Sequence, residues 1–331
     1  MILDRTAANI QAFPTPEIWI NAIVGIPVPP KNQIWLSPYG SDSSGNGSAI
    51  NPYKTIAKAR SVIVAFADNS ATNPYVVRLM AGIYTETVAL LPWVWLVGDT
   101  LGGQTTQYAD APPPLAAAVQ IVGLVDLDPS WAGAGQRAGM VSLYCANELS
   151  IHQVVGTTGI VLDLINFSAE ALSFFTSDNT SGINWLGGAC YDGNTHNGNN
   201  YIANVSFGLE YNISSSTGFT GPKPLTQFVA CKFVDNCQME ADTSQFLNVR
   251  FTACDMPLLT ITGSGCVVDL DSISYPTGGA PALVSGGTFT LRTPATAGLY
   301  APAAPGDWAA TPPADVQDAL DRLAAVAVTP P

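Results

Sequence analysis

Pairs of carboxylates two residues apart are the feature of this sequence with the clearest chemical potential. Two such pairs occur, Asp126 with Asp128 and Asp269 with Asp271. Residues i and i+2 of a strand share a face at about 6–7 Å, and glycoside hydrolysis uses two carboxylates about 5–10 Å apart. Each pair is therefore a candidate acid/base pair, although solvated strand faces and turns place carboxylates in the same way.

Other acidic residues lie in the same region of the chain. They are Glu170, Asp178, Glu210, Asp235, Glu240, Asp242 and Asp255. A lyase needs a basic residue beside its acids, and Arg250 is the one expected close to Asp235 and Asp255 if successive turns of the chain align. No basic residue recurs near the others. We therefore expect solvated or turn-capping carboxylates, and we assign no catalytic residue.

A serine-rich loop around Asp42 could suggest a calcium site. It contains Ser41, Ser43, Ser44 and Asn46. A calcium loop spaces several carboxylates along the chain, and this loop has one, so a plain turn is the better interpretation. The chain has only two histidines, which are too few to suggest a metal site. His196 is expected in a loop, and His152 in the wall of the fold.

Three aromatic residues, Trp185, Tyr191 and Tyr201, could form a platform on which a sugar ring stacks. Packing in the core or wall explains them equally simply, and we prefer that interpretation. The six cysteines are at positions 145, 190, 231, 237, 254 and 266. Their spacing matches no zinc motif, so buried free thiols are expected; disulfides would be the alternative in an oxidising compartment.

The composition excludes several classes of function. The 331 residues carry a net charge of −13, and 11% are charged against 47% hydrophobic. Nucleic acids and anionic membranes bind basic surfaces, so neither is expected as a partner. No apolar run is long enough to span a membrane, and no signal peptide precedes the first proline-rich stretch. No phosphate loop or dinucleotide fingerprint occurs, so no cofactor and no metal are expected.

The order of elements between residues 34 and 99 indicates how the chain is built. A short apolar strand, IWLSP, precedes a Gly/Ser turn, and an amphipathic helix is predicted from Asn51-Pro52 to just before Asp68-Asn69. Its apolar face should contain Tyr53, Ile56, Ala57, Ile63 and Val64, which follow helical spacing. Three short apolar runs separated by Gly and Pro come next. A helix capping a ladder of short strands is typical of the start of a solenoid.

Short strands continue from Val76 to about residue 293. The clearest internal echo is CKFVDN (231–236) with VRFTACD (249–255), in which Phe233 and Phe251 are 18 residues apart; Phe207 precedes Phe233 by 26, and Ile273 follows Phe251 by 22. Three turn-rich stretches, 102–117, 187–200 and 212–224, are predicted to be exposed insertions. A jelly roll or sandwich would also give many short strands; we favour the solenoid because of the segment at its start.

The two ends of the chain differ from this middle region. Residues 1–33 are apolar but contain prolines at 14, 16, 27, 29 and 30, which exclude a central strand. They are predicted to form an extended anchoring arm with Trp19, Ile20, Ile23 and Val24 as contacts, or a cap over the first turn. Residues 294–331 are predicted to form a linker and a C-terminal trimerisation helix, in which Val316, Leu320, Leu323 and Ala327 would form a seam spaced for self-association.

Two segments resemble known proteins. The string WLSPYGSDSSGNGSAINPYKTIAKA, followed by VRLMAGIYTE and VWLVGD, resembles the entry segment of the pectin-lyase-like superfamily. That resemblance implies an all-β, right-handed, single-stranded parallel β-helix over residues 34–293, with an N-terminal capping helix, and it does not specify an activity. The segment from Tyr300 to Ala324 resembles one that recurs in phage tail-fibre and related virion proteins, where it joins trimerised modules.

These resemblances lead to the functional expectation. The protein is expected to be a structural virion protein of a phage-like virus: a homotrimeric spike, fibre or capsid-decorating protein, located in the virion, that mediates attachment or particle stability. Its arm would bind other virion proteins, and a host surface glycan is a further candidate partner. The alternative is a tailspike depolymerase, a glycan hydrolase or lyase on the same fold. A secreted adhesin is a third hypothesis, disfavoured because no signal peptide is found.

Overall fold

The chain winds as a parallel β-solenoid. The computed structural model describes residues 32–98, 119–152, 157–175, 180–196, 199–209, 211–214, 225–240, 247–256, 258–262, 266–271, 273 and 288–291. Within these ranges every pairing between the strands is parallel, and all strands belong to one continuous sheet. A sandwich or jelly roll would be antiparallel, so the solenoid prediction is confirmed.

One helix and twenty strands lie in the described ranges. The helix α1 is Ile56–Phe66. The strands are β1 Gln33–Leu36, β2 Tyr75–Leu79, β3 Gly82–Tyr84, β4 Val88–Leu90, β5 Val94–Gly98, β6 Val119–Ile121, β7 Val125–Leu127, β8 Arg137–Val141, β9 Tyr144–His152, β10 Val161–Phe175, β11 Gly182–His196, β12 Tyr201–Phe207, β13 Tyr211–Ser214, β14 Leu225–Val229, β15 Lys232–Phe233, β16 Asn236–Glu240, β17 Leu247–Thr252, β18 Leu258–Thr262, β19 Cys266–Asp271 and β20 Thr288–Leu291.

Each turn contributes to three ladders of strands, which form three faces. Face 1 runs through β1, β2, β5, β8, the start of β10, the start of β11, then β12, β14, β17, β19 and β20. Face 2 contains β3, β6, the start of β9, the middle of β10 and β11, the end of β12, and β15. Face 3 contains β4, β7, the ends of β9, β10 and β11, and then β13, β16 and β18. Successive strands in a ladder are roughly 4.8 Å apart.

The corner between faces 1 and 2 is made in the same way at successive turns. A residue with positive φ follows the face 1 segment at six turns: Ser142, Asn166, Gly187, Asn204, Ala230 and Ala253. At Gly187 the next residue, Gly188, also has positive φ. One residue in the left-handed region bends the chain sharply and reverses the alternation of inward and outward side chains. This explains why the alternation that begins at Val249 and Phe251 fails at Ala253, which is exposed, while Cys254 is buried.

The interior is filled by columns of like side chains from successive turns. Phe228 stacks on Phe251 with ring centroids 5.0 Å apart, and Phe207 stacks on Phe233 at 4.9 Å. These pairs correct the predicted echo: Phe233 was aligned with Phe251, whereas Phe251 lies in register with Phe228 and Phe233 with Phe207. The 26 residues from Phe207 to Phe233 therefore correspond to one turn of the solenoid, whereas the 18 residues from Phe233 to Phe251 do not.

Helix α1 begins later than predicted. Thr55 is the N-cap, and its hydroxyl accepts a hydrogen bond from the Lys58 amide. The predicted apolar face is partly wrong, because Ile56, Ala59 and Ile63 are buried while Ala57 and Val64 are exposed. Proline at position 52 favours extended backbone before it, and the helix starts only where a capping threonine is available.

The predicted insertion at 187–200 is also wrong. Strand β11 runs through it to His196 and pairs along its length with β10. Its glycines belong to the corner and the wall of the solenoid rather than to a projecting loop. The predicted insertion at 102–117 lies outside the described residues, as does most of 212–224; so do Trp19, Ile20, Ile23 and Val24 of the arm and Val316, Leu320, Leu323 and Ala327 of the C-terminal seam.

Candidate functional site on the outer side of face 1

The outer side of face 1 combines ion pairs with buried apolar side chains. In one outward column the residues in register are Val76, Trp95, Gly139, Asp163, Asn184, Tyr201, Gln227, Arg250 and Asp269. In the next outward column they are Arg78, Val97, Val141, Ile165, Leu186, Ala203, Val229 and Thr252. The solenoid register therefore gathers residues from well-separated parts of the sequence.

Asp163 is the centre of the polar part of this surface. Both of its carboxylate oxygens accept from the Arg137 guanidinium at 2.9 Å, and the Asn184 amide donates to one of them at 2.9 Å. Asp163 is only 1% exposed. Burial raises the pKa of Asp163, because water stabilises the charged form that the protein interior does not; the Arg137 cation and the Asn184 donor offset part of this effect.

Gly139 makes room for the indole of Trp95 in the same column. A Cβ at position 139 would lie 2.6 Å from the Trp95 ring and 2.6 Å from the backbone oxygen of Asp163. Real side chains do not approach so closely, so a residue larger than glycine would displace either the indole or strand β10. The glycine, which lies between Trp95 and Asp163 in the column, thus leaves space for the indole.

A second ion pair lies further along face 1. The Arg250 Nε donates to Asp269 at 2.9 Å, and the two residues are directly opposite in the pairing of β17 with β19. Arg250 was predicted to lie near Asp235 and Asp255, and that prediction is wrong. It followed from the same misaligned echo, since the true register places Lys232, not Arg250, opposite Asp255.

Asp126 and Asp128 have different surroundings, and the side chain of Asp271, the partner of Asp269, lies outside the described residues. Asp128 accepts from Arg60 Nε at 2.7 Å and from the Ser130 amide at 2.8 Å, so it joins α1 to the third turn. Burial raises the pKa of Asp128, but the bonds from Ser130 and Arg60 outweigh it and leave the pKa below its ordinary value. Its partner Asp126 accepts from the His152 amide at 3.2 Å, on the outer side of face 3.

The loop around Asp42 is a helix cap. Asp42 accepts from the Lys54 amide at 2.8 Å and from the Thr55 hydroxyl at 2.7 Å. Burial raises the pKa of Asp42, but these hydrogen bonds dominate and lower it. Glu86, which sequence reasoning missed, accepts from the Ile56 and Ala57 amides at 2.8 Å each. Glu86 therefore satisfies two free N–H groups at the start of α1, while Asp42 holds the two residues that precede the helix.

The remaining candidates are distributed around the solenoid. Trp185 is fully buried and donates to the Phe167 and Gly187 carbonyls, so it cannot belong to a sugar platform; Tyr201 lies on the outer side of face 1 and Tyr191 follows the face 2 segment. Glu170 accepts from the Tyr144 hydroxyl at 3.0 Å. Asp235 and Glu240 are exposed, and Asp255 is half-buried. Asp178, Glu210 and Asp242 lie outside the described residues, as does the side chain of His196.

The cysteine prediction is confirmed where the structure describes the side chains. Cys145, Cys190, Cys231, Cys237 and Cys254 are buried and free. Burial raises the pKa of Cys145 to about 11, so this thiol is protonated and unreactive at neutral pH. Among the described residues no group of three potential metal ligands converges, and no helix there is long and apolar enough to cross a membrane.

Asp163 with Arg137 and Asn184 is the cluster that sequence reasoning missed. The three residues are separated by 26 and 21 positions, and only the register of β8, β10 and β11 brings them together. A search of protein-family models, of curated proteins and of solved structures finds no match to this chain.

Proposed function

We propose that this protein is the structural shaft of a virion component in a phage-like virus. In this proposal three copies of a right-handed solenoid assemble side by side, the C-terminal seam joins them, and the N-terminal arm attaches them to the particle. The assembly would serve host attachment or particle stability. It resides in the virion, and other virion proteins and a host surface glycan are its proposed partners.

One observation carries this proposal: the buried carboxylates on the solenoid act as braces between turns. Arg60 with Asp128, Arg137 with Asp163 and Arg250 with Asp269 each join segments from different turns. Hydrogen bonds between an arginine and a carboxylate are charge-assisted and therefore stronger than neutral ones, and such bonds resist sliding of one turn over the next. A braced parallel column is suited to transmitting or bearing load.

Light scattering tests the oligomer. The full chain is expected to have the mass of a trimer, and a chain ending at Pro305 the mass of a monomer, because the seam at Val316, Leu320, Leu323 and Ala327 would be lost. Replacing Leu320 and Leu323 by aspartate should have the same effect without shortening the chain. A monomer mass for the full chain would refute this part of the proposal.

Imaging of particles tests the location. Gold-labelled antibody against the solenoid should decorate a fixed position on intact particles of the virus that encodes it. Labelling only of infected cell lysate, with none on purified particles, would contradict a virion role. This experiment does not depend on the oligomeric state and so separates the two claims.

The alternative, a glycan depolymerase, is favoured by one specific observation. Asp163 is a carboxyl group in an outward column of face 1, and burial raises its pKa, although the adjacent Arg137 cation and the Asn184 amide offset part of this rise. Incubation with bacterial capsule or lipopolysaccharide should then release reducing ends, and Asp163→Asn should abolish the release. Release with the wild type and none with the variant would overturn the structural proposal in favour of the enzyme.

A further inference from the structure

Face 1 has an apolar outer surface that is buried although it points away from the core. Its members form a hydrophobic cluster separate from the main core, called the outer stripe here: Val76, Trp95, Val97, Val141, Ile165, Leu186 and Ala203. Each is at most 8% exposed, and Val97 and Ile165 are fully buried. Side chains on the outer side of a sheet reach such values only when something lies over them.

The outer side of face 3 is the internal comparison, and it differs in both composition and exposure. After Ala89 its outward column is polar and, except for Ser150, half-buried. The residues in register there are Asp126, Ser150, Ser173, Asn194, Asn212, Gln238 and Thr260. The same sheet therefore has one outer side suited to water and another suited to a cover.

We propose that the N-terminal arm of the same chain, residues 13–28, lies along the outer stripe. The inference goes beyond the proposed function and does not depend on it. The proposal names the arm as the cover of the outer stripe, in preference to the other segments outside the described residues and to a second copy of the chain. With residues 13–28 held there, the anchoring contact proposed above falls to residues 1–12.

The first argument is where the arm joins the described chain. Asn32 is 1% exposed, and its side chain donates to Asn73 at 2.8 Å and to the Pro74 carbonyl at 3.0 Å. Gln33 follows and pairs with Val76, the first member of the stripe. The arm therefore starts at the end of the stripe, on the same face.

The second argument is length. From Val76 on β2 to Ala203 on β12 the stripe crosses five strand spacings, which is about 24 Å at roughly 4.8 Å each. Sixteen residues can extend over about 50 Å, so residues 13–28 cover the stripe with length to spare. Their prolines prevent pairing as a sheet strand but favour an extended chain that contacts the stripe through its side chains.

The third argument is composition. Residues 13–28 contain one charged residue, Glu17, and eight large apolar residues: Phe13, Ile18, Trp19, Ile20, Ile23, Val24, Ile26 and Val28. Two other long segments begin at this face: 292–331 follows β20, four strands beyond the last strand of the stripe, and 99–118 follows β5. The nearer of the two is 99–118. It has only Leu101, Tyr108 and Leu115 as large apolar residues, among glycines, threonines and prolines. The arm is the better match to a stripe of valine, isoleucine, leucine and tryptophan.

Photo-crosslinking of the full chain tests the occupant directly. Benzoylphenylalanine would replace Tyr201, an aromatic residue that packs against the stripe, and, as the matched control, Tyr39, which is 95% exposed. Mixing light and isotope-heavy chains separates crosslinks within a chain from those between chains. The proposal expects crosslinks from position 201 to residues 13–28 of the same chain, and none to that segment from position 39.

Each other outcome of this experiment overturns the proposal. Crosslinks from position 201 to residues 99–118 would assign the cover to that segment, and light–heavy crosslinks would assign it to a second copy. A folded, photoactivated protein without any crosslink at position 201 would mean that the stripe is not covered by the arm. None of these results bears on the trimer or particle-labelling experiments.

Limited proteolysis gives a second readout that needs no unnatural residue. The only glutamate in the arm is Glu17, so a glutamate-specific protease cuts the arm at one place. Ile165→Asp puts a charge into the stripe and should speed this cleavage about tenfold or more by releasing the arm. Leu124→Asp, at an apolar residue already 41% exposed, is the matched control and should leave the rate unchanged. Equal rates in both variants would contradict the proposal.

Discussion

Removing Arg137 should destabilise the solenoid severely, because it leaves the carboxylate of Asp163 buried without its cation. In Arg137→Met the methionine keeps much of the apolar stem and loses both hydrogen bonds to Asp163. The Asn184 amide remains as a donor. Removing one partner of a buried ion pair costs about 3–5 kcal/mol. At roughly 2–4 °C per kcal/mol for a domain of this size, we expect Tm to fall by about 10 °C.

The matched control is Arg250→Met. Its ion pair with Asp269 has the same chemistry, but the side chains are 39% and 11% exposed, against 29% and 2% for Arg137 and Asp163. Water can replace the lost partner there, and we expect a loss of about 1 kcal/mol or less. Circular dichroism melts of the two variants and the wild type at equal concentration make the comparison.

The reasoning also predicts how the stability loss of Arg137→Met changes with pH. Burial raises the pKa of Asp163, and a group whose pKa is raised on folding contributes stability that is lost as the pH rises through that pKa. Arg137 opposes this effect. Without it the pKa rises further, so Arg137→Met should lose more stability than the wild type as the pH rises above the ordinary pKa range of an aspartate.

Two results would refute this reasoning. The first is an Arg137→Met variant as stable as Arg250→Met. The second concerns the double variant Arg137→Met with Asp163→Leu, which has no uncompensated charge and should recover most of the loss. A double variant no more stable than Arg137→Met alone would show that the two residues do not act as a pair.

Three further predictions concern other parts of the molecule. Glu86→Ala should lower the free energy of unfolding by about 0.5–2 kcal/mol, because the Ile56 and Ala57 amides lose their acceptor; urea denaturation measures the loss, and an unchanged midpoint would contradict the cap. Phe233→Ala should cost about 3–5 kcal/mol by opening a cavity beneath the Phe207 ring, with a melt as the assay and an undiminished Tm as the contrary result. The Cys145 thiol, with its pKa raised to about 11, should remain unlabelled by a thiol reagent at neutral pH until the chain unfolds, and rapid native labelling would show that it is accessible.

Part of the fold was predictable because it is encoded locally. The strand at Gln33–Leu36, the Gly/Ser turn and helix α1 follow one another as expected, since propensity, capping and apolar spacing all act within one segment. The bounds and face of the helix were less predictable. Thr55 begins it, and the burial of Ala59 rather than Ala57 depends on where α1 packs against the first turns.

The register between turns was the main thing that local patterns could not supply. Two similar strings aligned Phe233 with Phe251, but each turn has its own length, and the true partner of Phe251 is Phe228. Because of that error, Arg250 was predicted to lie near Asp255, whereas its partner is Asp269. The left-handed corner residues reverse the alternation at the six corners from Ser142 to Ala253, which hides the repeat further.

The sequence by itself determined that short strands would stack behind one helix, because apolar runs of strand length bounded by turn residues have few other ways to bury their side chains. Only the tertiary structure decided which charges meet. Asp163, Arg137 and Asn184 belong to three different strands, and their contact depends on the lengths of the intervening turns. Those lengths depend on loops and corners that local sequence patterns do not predict. The cluster can therefore be recognised only in the folded solenoid.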